Sequence, residues 1–294
     1  MQKVNPLISV IIPSYNSERF ISKCLFSLLS QKVDFDYEII VVDSSKDNTS
    51  EIIKDKFPSV KLIHLKEQTL PGAGRNIGIS EAKGKIIAFT DSDCIVNNNW
   101  LQTALESINK GYSVVGGSVK NANSQTLISI ADYFLTFNEF LPTMPKREVL
   151  FMPTCNLICK KEVFEDIGGF PPHLAAGEDT IFNYKASKKY KLLFNPRIKI
   201  SHNNRDSFKK FFKHHYNFGL HAALLRKKYK LPGNIFVKYP PLIVLIPFVR
   251  FFLISLRMVR WNWKMLPSFI VSSPLIFIGI LIWSVGFMKN MWWS

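Results

Sequence analysis

The apolar run Lys85–Phe89 (KIIAF) ends at Thr90-Asp91-Ser92-Asp93. Two carboxylates separated by one residue at the end of a buried strand can present oxygens to a single hard cation. A Mg²⁺ or Mn²⁺ ion held there can bridge the two phosphates of a nucleotide diphosphate and neutralise charge on a leaving group. The same residues could equally form a turn with an Asx cap. A second acidic pair, Glu178-Asp179, follows Gly177 and opens the helical pattern TIFNYKA. The helix dipole favours acidic residues at that place, and a carboxylate there can also serve as a general base. His202 follows the strand-like RIKIS of residues 197–201, where an imidazole could complete a carboxylate and phosphate metal site or simply meet solvent. Gly72-x-Gly74-x-x-x-Gly78 departs by one residue from the dinucleotide fingerprint, and the preceding KEQTLP is not a strand. These glycines read as a loop that lets the chain pass close to phosphates.

Such groups need a scaffold. Leu7–Ile12 (LISVII), Tyr37–Val42 (YEIIVV), Lys61–Leu65 and Lys85–Phe89 are short strand-like runs, and they alternate with helical stretches. The helices are expected over Glu18–Leu29, after a cap at Asp47 or Asn48, and from near Gly74. That alternation specifies an α/β fold whose Rossmann-like, mostly parallel sheet is covered by helices on both faces. Ligands bind beyond the carboxyl ends of such strands. Ser14-Tyr15-Asn16, Asp43, and Asp91 with Asp93 follow the first, second and fourth strands respectively.

Taken together, SVIIPSYN at 9–16, EIIVVDSSKDNT at 38–49, PGAGRNIGISEAKGKIIAFTDSD at 71–93, GGFPP at 168–172 and GEDTIF at 177–182 resemble the family 2 glycosyltransferases. These are inverting enzymes of the GT-A fold, and the resemblance covers roughly residues 7–205. It implies that Pro13, Tyr15 and Asn16 line a nucleoside pocket and that Asp43 hydrogen-bonds the base or ribose. Arg75, Asp91 and Ser92 would lie near the donor diphosphate. Asp91, Asp93 and His202 would hold a divalent cation, Mn²⁺ or Mg²⁺. The pair Glu178-Asp179 would be catalytic, with Asp179 as the base that deprotonates the acceptor hydroxyl. Gly168, Gly169 and Phe170 would form part of the acceptor wall. Where the family commonly has Asp-Asp-Gly-Ser after the second strand, this chain has Asp43-Ser44-Ser45.

The formal charge is +16, and residues 207–294 contain 13 Lys and Arg with no acidic residue, so they carry +13 of it. Such a stretch suits either nucleic acid or an anionic membrane surface. Two apolar runs, Tyr239–Leu256 and Leu266–Met288, are 18 and 23 residues long, against the ~20 needed to span a bilayer. Basic residues flank them, so membrane lipids are the expected partner and nucleic acid is not. The first run contains Arg250, Pro240, Pro241 and Pro247. Two crossings would place Arg257, Arg260 and Lys264 outside, against the positive-inside tendency, so the number of crossings stays open. Between Arg205 and Lys230, Phe208, Phe211, Phe212 and Leu220 are interleaved with Lys and His. That pattern suits either a helix seated among lipid headgroups or plain packing against the catalytic domain. Cys24, Cys94, Cys155 and Cys159 lack zinc-site spacing and read as reduced thiols. Met1–Pro6 leads into an apolar stretch too short for a secretory signal, so the catalytic domain is expected on the cytoplasmic side of the cell membrane.

The expected organisation is a GT-A catalytic domain over 1–205, a basic amphipathic segment over 206–237 and a region with two hydrophobic membrane helices over 238–294. The expected activity is metal-dependent, inverting transfer of a sugar from a nucleotide diphosphate sugar to a lipid-linked or saccharide acceptor. The alternatives are a polyprenyl-phosphate sugar synthase and a noncatalytic membrane protein with a vestigial nucleotide-sugar pocket.

Overall fold

The computed structural model of the protein describes residues 5–292. The reading made on the first residues of the chain falls mostly on 1–4, outside the described residues. The strands are β1 (Ile8–Ser14), β2 (Tyr37–Asp43), β3 (Lys61–His64), β4 (Ile86–Phe89), β5 (Cys94–Val96), β6 (Val114–Asn121), β7 (Arg147–Val149), β8 (Leu157–Lys160) and β9 (Leu192–His202). The helices are α1 (Ile21–Leu29), α2 (Thr49–Lys56), α3 (Pro71–Glu81), α4 (Trp100–Asn109), α5 (Leu127–Phe137), α6 (Lys161–Ile167), α7 (Glu178–Ala186), α8 (Phe208–Lys228), α9 (Ile235–Lys238), α10 (Ile246–Trp261) and α11 (Leu266–Trp292).

The strands form one sheet in the order β3-β2-β1-β4-β8-β6-β9-β5, with β7 added on β9. The half from β3 to β4 is parallel. Its central residues Val10, Ile11, Ile12, Ile40 and Val41 are fully buried, which is why these runs show no polar alternation. Beyond β4 the pairings of β8 with β4 and β6, and of β9 with β5 and β7, are antiparallel. Register aligns Ser14 with Asp43 and Asp43 with His64 at the carboxyl edge of the parallel half. The sheet is therefore mixed, with parallel and antiparallel pairings.

The chain divides into two compact units that are not contiguous in sequence. One comprises the residues up to Lys120 together with Pro145–His202, and the other comprises Asn121–Met144 with the residues from Asn203 onward. The first unit holds the sheet. Its glycines correct one expectation: Gly72, Gly74 and Gly78 lie on α3 and not in a loop. A Cβ on Gly78 would sit 2.3 Å from Ile11 Cγ2, and one on Gly72 would sit 2.9 Å from Pro171 O. The missing side chains therefore let α3 press onto β1 and the 171 turn, with Pro71 in the first turn where its lost N–H costs nothing. The four cysteines are free and buried, as the sequence implies.

In the second unit, α8 and α11 cross with backbone contact. A Cβ on Gly219 would lie 1.9 Å from Trp283 O, and one on Gly286 would lie 2.1 Å from Tyr216 O. The missing side chains of Gly219 and Gly286 are what allow the two backbones to approach this closely. α8 buries Phe211, His215, Gly219 and Ala223 while Phe208, Phe212 and Phe218 stay exposed. The basic-aromatic segment thus packs along one face and presents rings on another. The stretches Pro240–Trp261 and Trp263–Met291, 22 and 29 residues, are long and apolar enough to cross a membrane. Pro240 and Pro241 fall in the first turn of a 3₁₀ segment and Pro247 in the first turn of α10, where no helical hydrogen bond is lost. Arg257, one of the cations that oppose the positive-inside tendency, is bound within the unit, donating to Asn138 Oδ1 and Glu139 Oε1 at 2.6 Å each.

Candidate active site

The site is assembled at the carboxyl edge of the parallel strands in the first unit. Pro13 lies on β1, and Tyr15 and Asn16 follow it, both exposed, with Asn16 in the left-handed region at φ 49°. That turn is pinned by two hydrogen bonds: Asn16 N donates to Ser45 Oγ (2.7 Å), and Lys46 N donates to Asn16 Oδ1 (2.9 Å). Asp43, at the end of β2, is completely buried. Its carboxylate accepts from Ser45 Oγ (2.5 Å) and Ser50 Oγ (2.8 Å) and faces His64 Nδ1 at 3.1 Å. Burial alone would raise its pKa, but the Ser45, Ser50 and His64 contacts hold it below the ordinary value. The Ser-Ser departure after Asp43 therefore has a structural role, since Ser45 links the carboxylate to the Asn16 turn. His64 and Ser50 belong to this corner and carried no sequence signal beyond their places at a strand end and in a helix.

Arg75, on α3, is the centre of the arrangement. It is 3% exposed, and it donates from Nη1 to Glu178 Oε1 (2.7 Å) and from Nη2 to Asp91 Oδ1 (2.9 Å). A planar guanidinium forks between two carboxylates more readily than an ammonium could. The pairing outweighs the cost of burial and raises the Arg75 pKa well above normal. The fork ties the Asp-x-Asp turn to the start of α7, residues 103 positions apart in sequence in the case of Glu178. Glu178 is consequently an ion-pair partner and makes no side-chain cap on its helix.

Phe170, expected as part of the acceptor wall, has its ring in the core. Its ring is 2% exposed, lies 5.6 Å from the Arg75 guanidinium carbon and packs edge-on to Phe89 at 5.3 Å. A large apolar ring gains more by entering the core than by facing polar substrate. Its backbone is locked by a reciprocal pair with Asn76: Asn76 Nδ2 donates to Phe170 O (2.7 Å) and Phe170 N donates to Asn76 Oδ1 (2.9 Å). Gly169 is required there, since a Cβ would be 2.4 Å from Asn76 Oδ1. Gly168 takes φ 80°, which favours glycine, and has open space around it.

Asp179 follows Glu178 in the first turn of α7, with Oδ1 accepting from Thr180 N at 2.6 Å. Burial, reinforced by the adjacent Glu178 charge, pushes its pKa up to about 7, against the pull of Arg75. A carboxylate poised there can accept a proton at neutral pH.

Asp93 and His202 meet across the β5–β9 pairing, in which Cys94 stands opposite His202. His202 Nε2 is 3.6 Å from Asp93 Oδ1, and these atoms lie with Cys94 Sγ within 4.8 Å of one another. Burial pushes the Cys94 thiol well above its ordinary pKa, so it stays protonated and is a poor ligand for a hard ion. The Asp93 carboxylate and the His202 imidazole are a donor pair that fits a divalent cation. Ser92, between the two acids, shares a 2.7 Å hydrogen bond with Ser17 Oγ, which joins the metal-type turn to the β1 turn.

The match to known proteins follows this geometry. Residues 9–168 match the family model Glycosyl transferase family 2. The glycosyltransferase AglE of Haloferax volcanii is 36% identical over 203 residues, 66% of each chain. A Methanococcus voltae dolichyl N-acetyl-alpha-D-glucosaminyl phosphate 3-beta-D-2,3-diacetamido-2,3-dideoxy-beta-D-glucuronosyltransferase is 26% identical over 97% of both chains. Among solved structures, the Pyrobaculum calidifontis mannosyltransferase PcManGT in complex with GDP-Man and Mn²⁺ superposes with TM-score 0.62 at 18% identity, covering 99% of this chain and 88% of that one. The S. aureus TarS 1-349 complex with UDP-GlcNAc does so with TM-score 0.55 at 19% identity, covering 97% and 90%. The matched stretch of sequence contains the β1 turn, Asp43, Arg75 and the Asp-x-Asp turn in one frame, and the chain belongs to glycosyl transferase family 2.

Proposed function

We propose that the protein transfers a sugar from a nucleotide diphosphate sugar to a hydroxyl of a lipid-linked saccharide, with inversion, at the cytoplasmic face of a membrane. The observation that carries this reading is the Arg75 fork. One buried cation holds Asp91, of the donor-diphosphate turn, and Glu178, beside the poised base. Asp179 accepts the proton of the acceptor hydroxyl as its oxygen attacks the anomeric carbon. The bond from that carbon to the diphosphate breaks with its electron pair leaving on the diphosphate, from the opposite face. Asp91, Asp93 and His202 would hold a divalent cation, whose chemistry is to neutralise charge on the leaving diphosphate. Tyr15, Asn16 and the Ser45–Asp43 corner shape the nucleoside end.

The metal and nucleotide sugars named for PcManGT and TarS support the donor class. The dolichyl N-acetyl-alpha-D-glucosaminyl phosphate in the name of the M. voltae relative supports a lipid-linked saccharide as the acceptor class. Exposed Phe248, Phe252 and Ile270, among other apolar residues of α10 and α11, support membrane attachment. The test is transfer by the detergent-purified protein from a panel of nucleotide sugars, with Mn²⁺ and with chelator. Asp179→Asn should lower transfer by ~10²–10⁴-fold, the usual worth of a general base, with donor binding retained. Full turnover in that variant would reject the assignment, and a sugar phosphodiester as product would make the protein a polyprenyl-phosphate sugar synthase.

A further inference from the structure

The second unit contains a cavity of about 240 Å³ that the catalytic reading does not use. It is lined by the end of α5 and the turn after it, by α8, and by Arg250 of α10 and Trp283 of α11. The volume is below the ~300–1,000 Å³ of sites for drug-sized ligands, so it admits a compact head and not a large molecule. Arg250 stacks its guanidinium carbon 4.3 Å from the Trp283 ring centroid. Its Nη1 is buried with no hydrogen-bond partner among the described residues, and the same holds for Thr136 Oγ1 on the cavity wall.

A guanidinium stays charged, and a buried charge without an anion is costly. The carboxylates nearby in the unit are bonded to other partners, and Glu139 acts on the Arg250 charge only at a distance. Glu139, the acid lining the cavity, is held by Arg257 at 2.6 Å. Asp132 accepts from Arg205 N (3.0 Å) and Arg205 Nη1 (3.2 Å), and its other oxygen meets His215 Nε2 at 2.9 Å. A cation and a hydroxyl with unused donors therefore share one small cavity. Arg250 also stands on the helix whose Val249, Phe252 and Leu253 are exposed apolar residues. A free anion would gain nothing from that flank, whereas a phosphate carrying an aliphatic chain would use both features.

We propose that this cavity binds the phosphate of a chain-bearing membrane lipid, with Arg250 Nη1 and Thr136 Oγ1 as donors to its oxygens. The site stands independently of the transfer reaction, and its test is one of binding.

The full chain in detergent would be titrated calorimetrically with farnesyl phosphate, farnesol, phosphatidylglycerol and inorganic phosphate. The expected result is that a chain-bearing phosphate binds at least ten-fold more tightly than farnesol or inorganic phosphate. The tighter of farnesyl phosphate and phosphatidylglycerol identifies the source as a polyprenyl carrier or a bulk lipid headgroup. Arg250→Gln should remove that ten-fold preference. Thr136→Val, which keeps shape and is the variant of choice if Arg250→Gln does not fold, should weaken binding several-fold. Farnesol binding as tightly as farnesyl phosphate, inorganic phosphate binding as tightly as either lipid, or unchanged affinity in a folded variant would overturn the proposal.

Discussion

Arg75 and Arg250 are both guanidiniums withdrawn from solvent, one in each unit, and their surroundings are opposite. Arg75 forks between two carboxylates at 2.7 and 2.9 Å over a phenylalanine ring. Arg250 lies on a tryptophan ring and keeps a buried Nη1 without a partner among the described residues. The first is a positioning device, because it fixes two distant pieces of chain relative to each other. Each keeps one buried donor without a partner among the described residues, Arg75 Nε and Arg250 Nη1, but only Arg250 has no carboxylate bonded to it, which is what a binding site for an anion requires. A buried cation is informative only through what neutralises it.

The sharpest way to break this contrast is Arg75→Met. Removing the cation leaves Glu178 buried and Asp91 unpaired, which should cost about 3–5 kcal/mol of stability, as for other broken buried pairs. A chemical-denaturation midpoint close to that of the native protein would show that the fork is not what holds α7 to the Asp-x-Asp turn. The next effect is on pH. Asp179 must be deprotonated to act as a base, and its pKa is raised to about 7. The kcat/KM for transfer should therefore rise about ten-fold per pH unit below that value and level off above it. Since Arg75 pulls this pKa down, any residual activity of Arg75→Met should show its break at higher pH, and an unshifted break would separate the two residues. The smallest effect is expected for Arg250→Met, which breaks no ion pair: the lost ring contact, about 1 kcal/mol, is offset by relief from burying an unmatched charge, so stability in detergent should change by no more than about 1 kcal/mol. A loss comparable to that of Arg75→Met would mean that Arg250 is structural, and the comparison would fail.

Much of the first unit was legible from sequence. The four parallel strands stand within a residue or two of the apolar runs, because strands buried on both faces must be apolar throughout. β5, β6, β7 and β8 left little trace, being mostly three or four residues long or, in β6, interrupted by Gly116 and Gly117. The glycines of α3 were misread because spacing alone does not distinguish a phosphate loop from a helix face pressed on a strand. Phe170 was placed on a wall because a motif gives a residue's neighbours in sequence and not its burial. In the second unit, the composition disclosed the apolar runs. The inclusion of 121–144 in that unit had no signature, since α5 is an 11-residue apolar helix like many that lie in soluble cores.

By itself, the order of residues determined the chemical types at each strand end, the parallel half of the sheet and the two long apolar helices, since these depend on local pattern and burial. Tertiary structure alone decided that Arg75 joins Asp91 to Glu178, that His202 comes to Asp93, and that Arg250 is left with an unused donor. Each of these is a contact between residues remote in the chain, and its energy depends on partners and solvent exclusion that no local stretch of sequence contains.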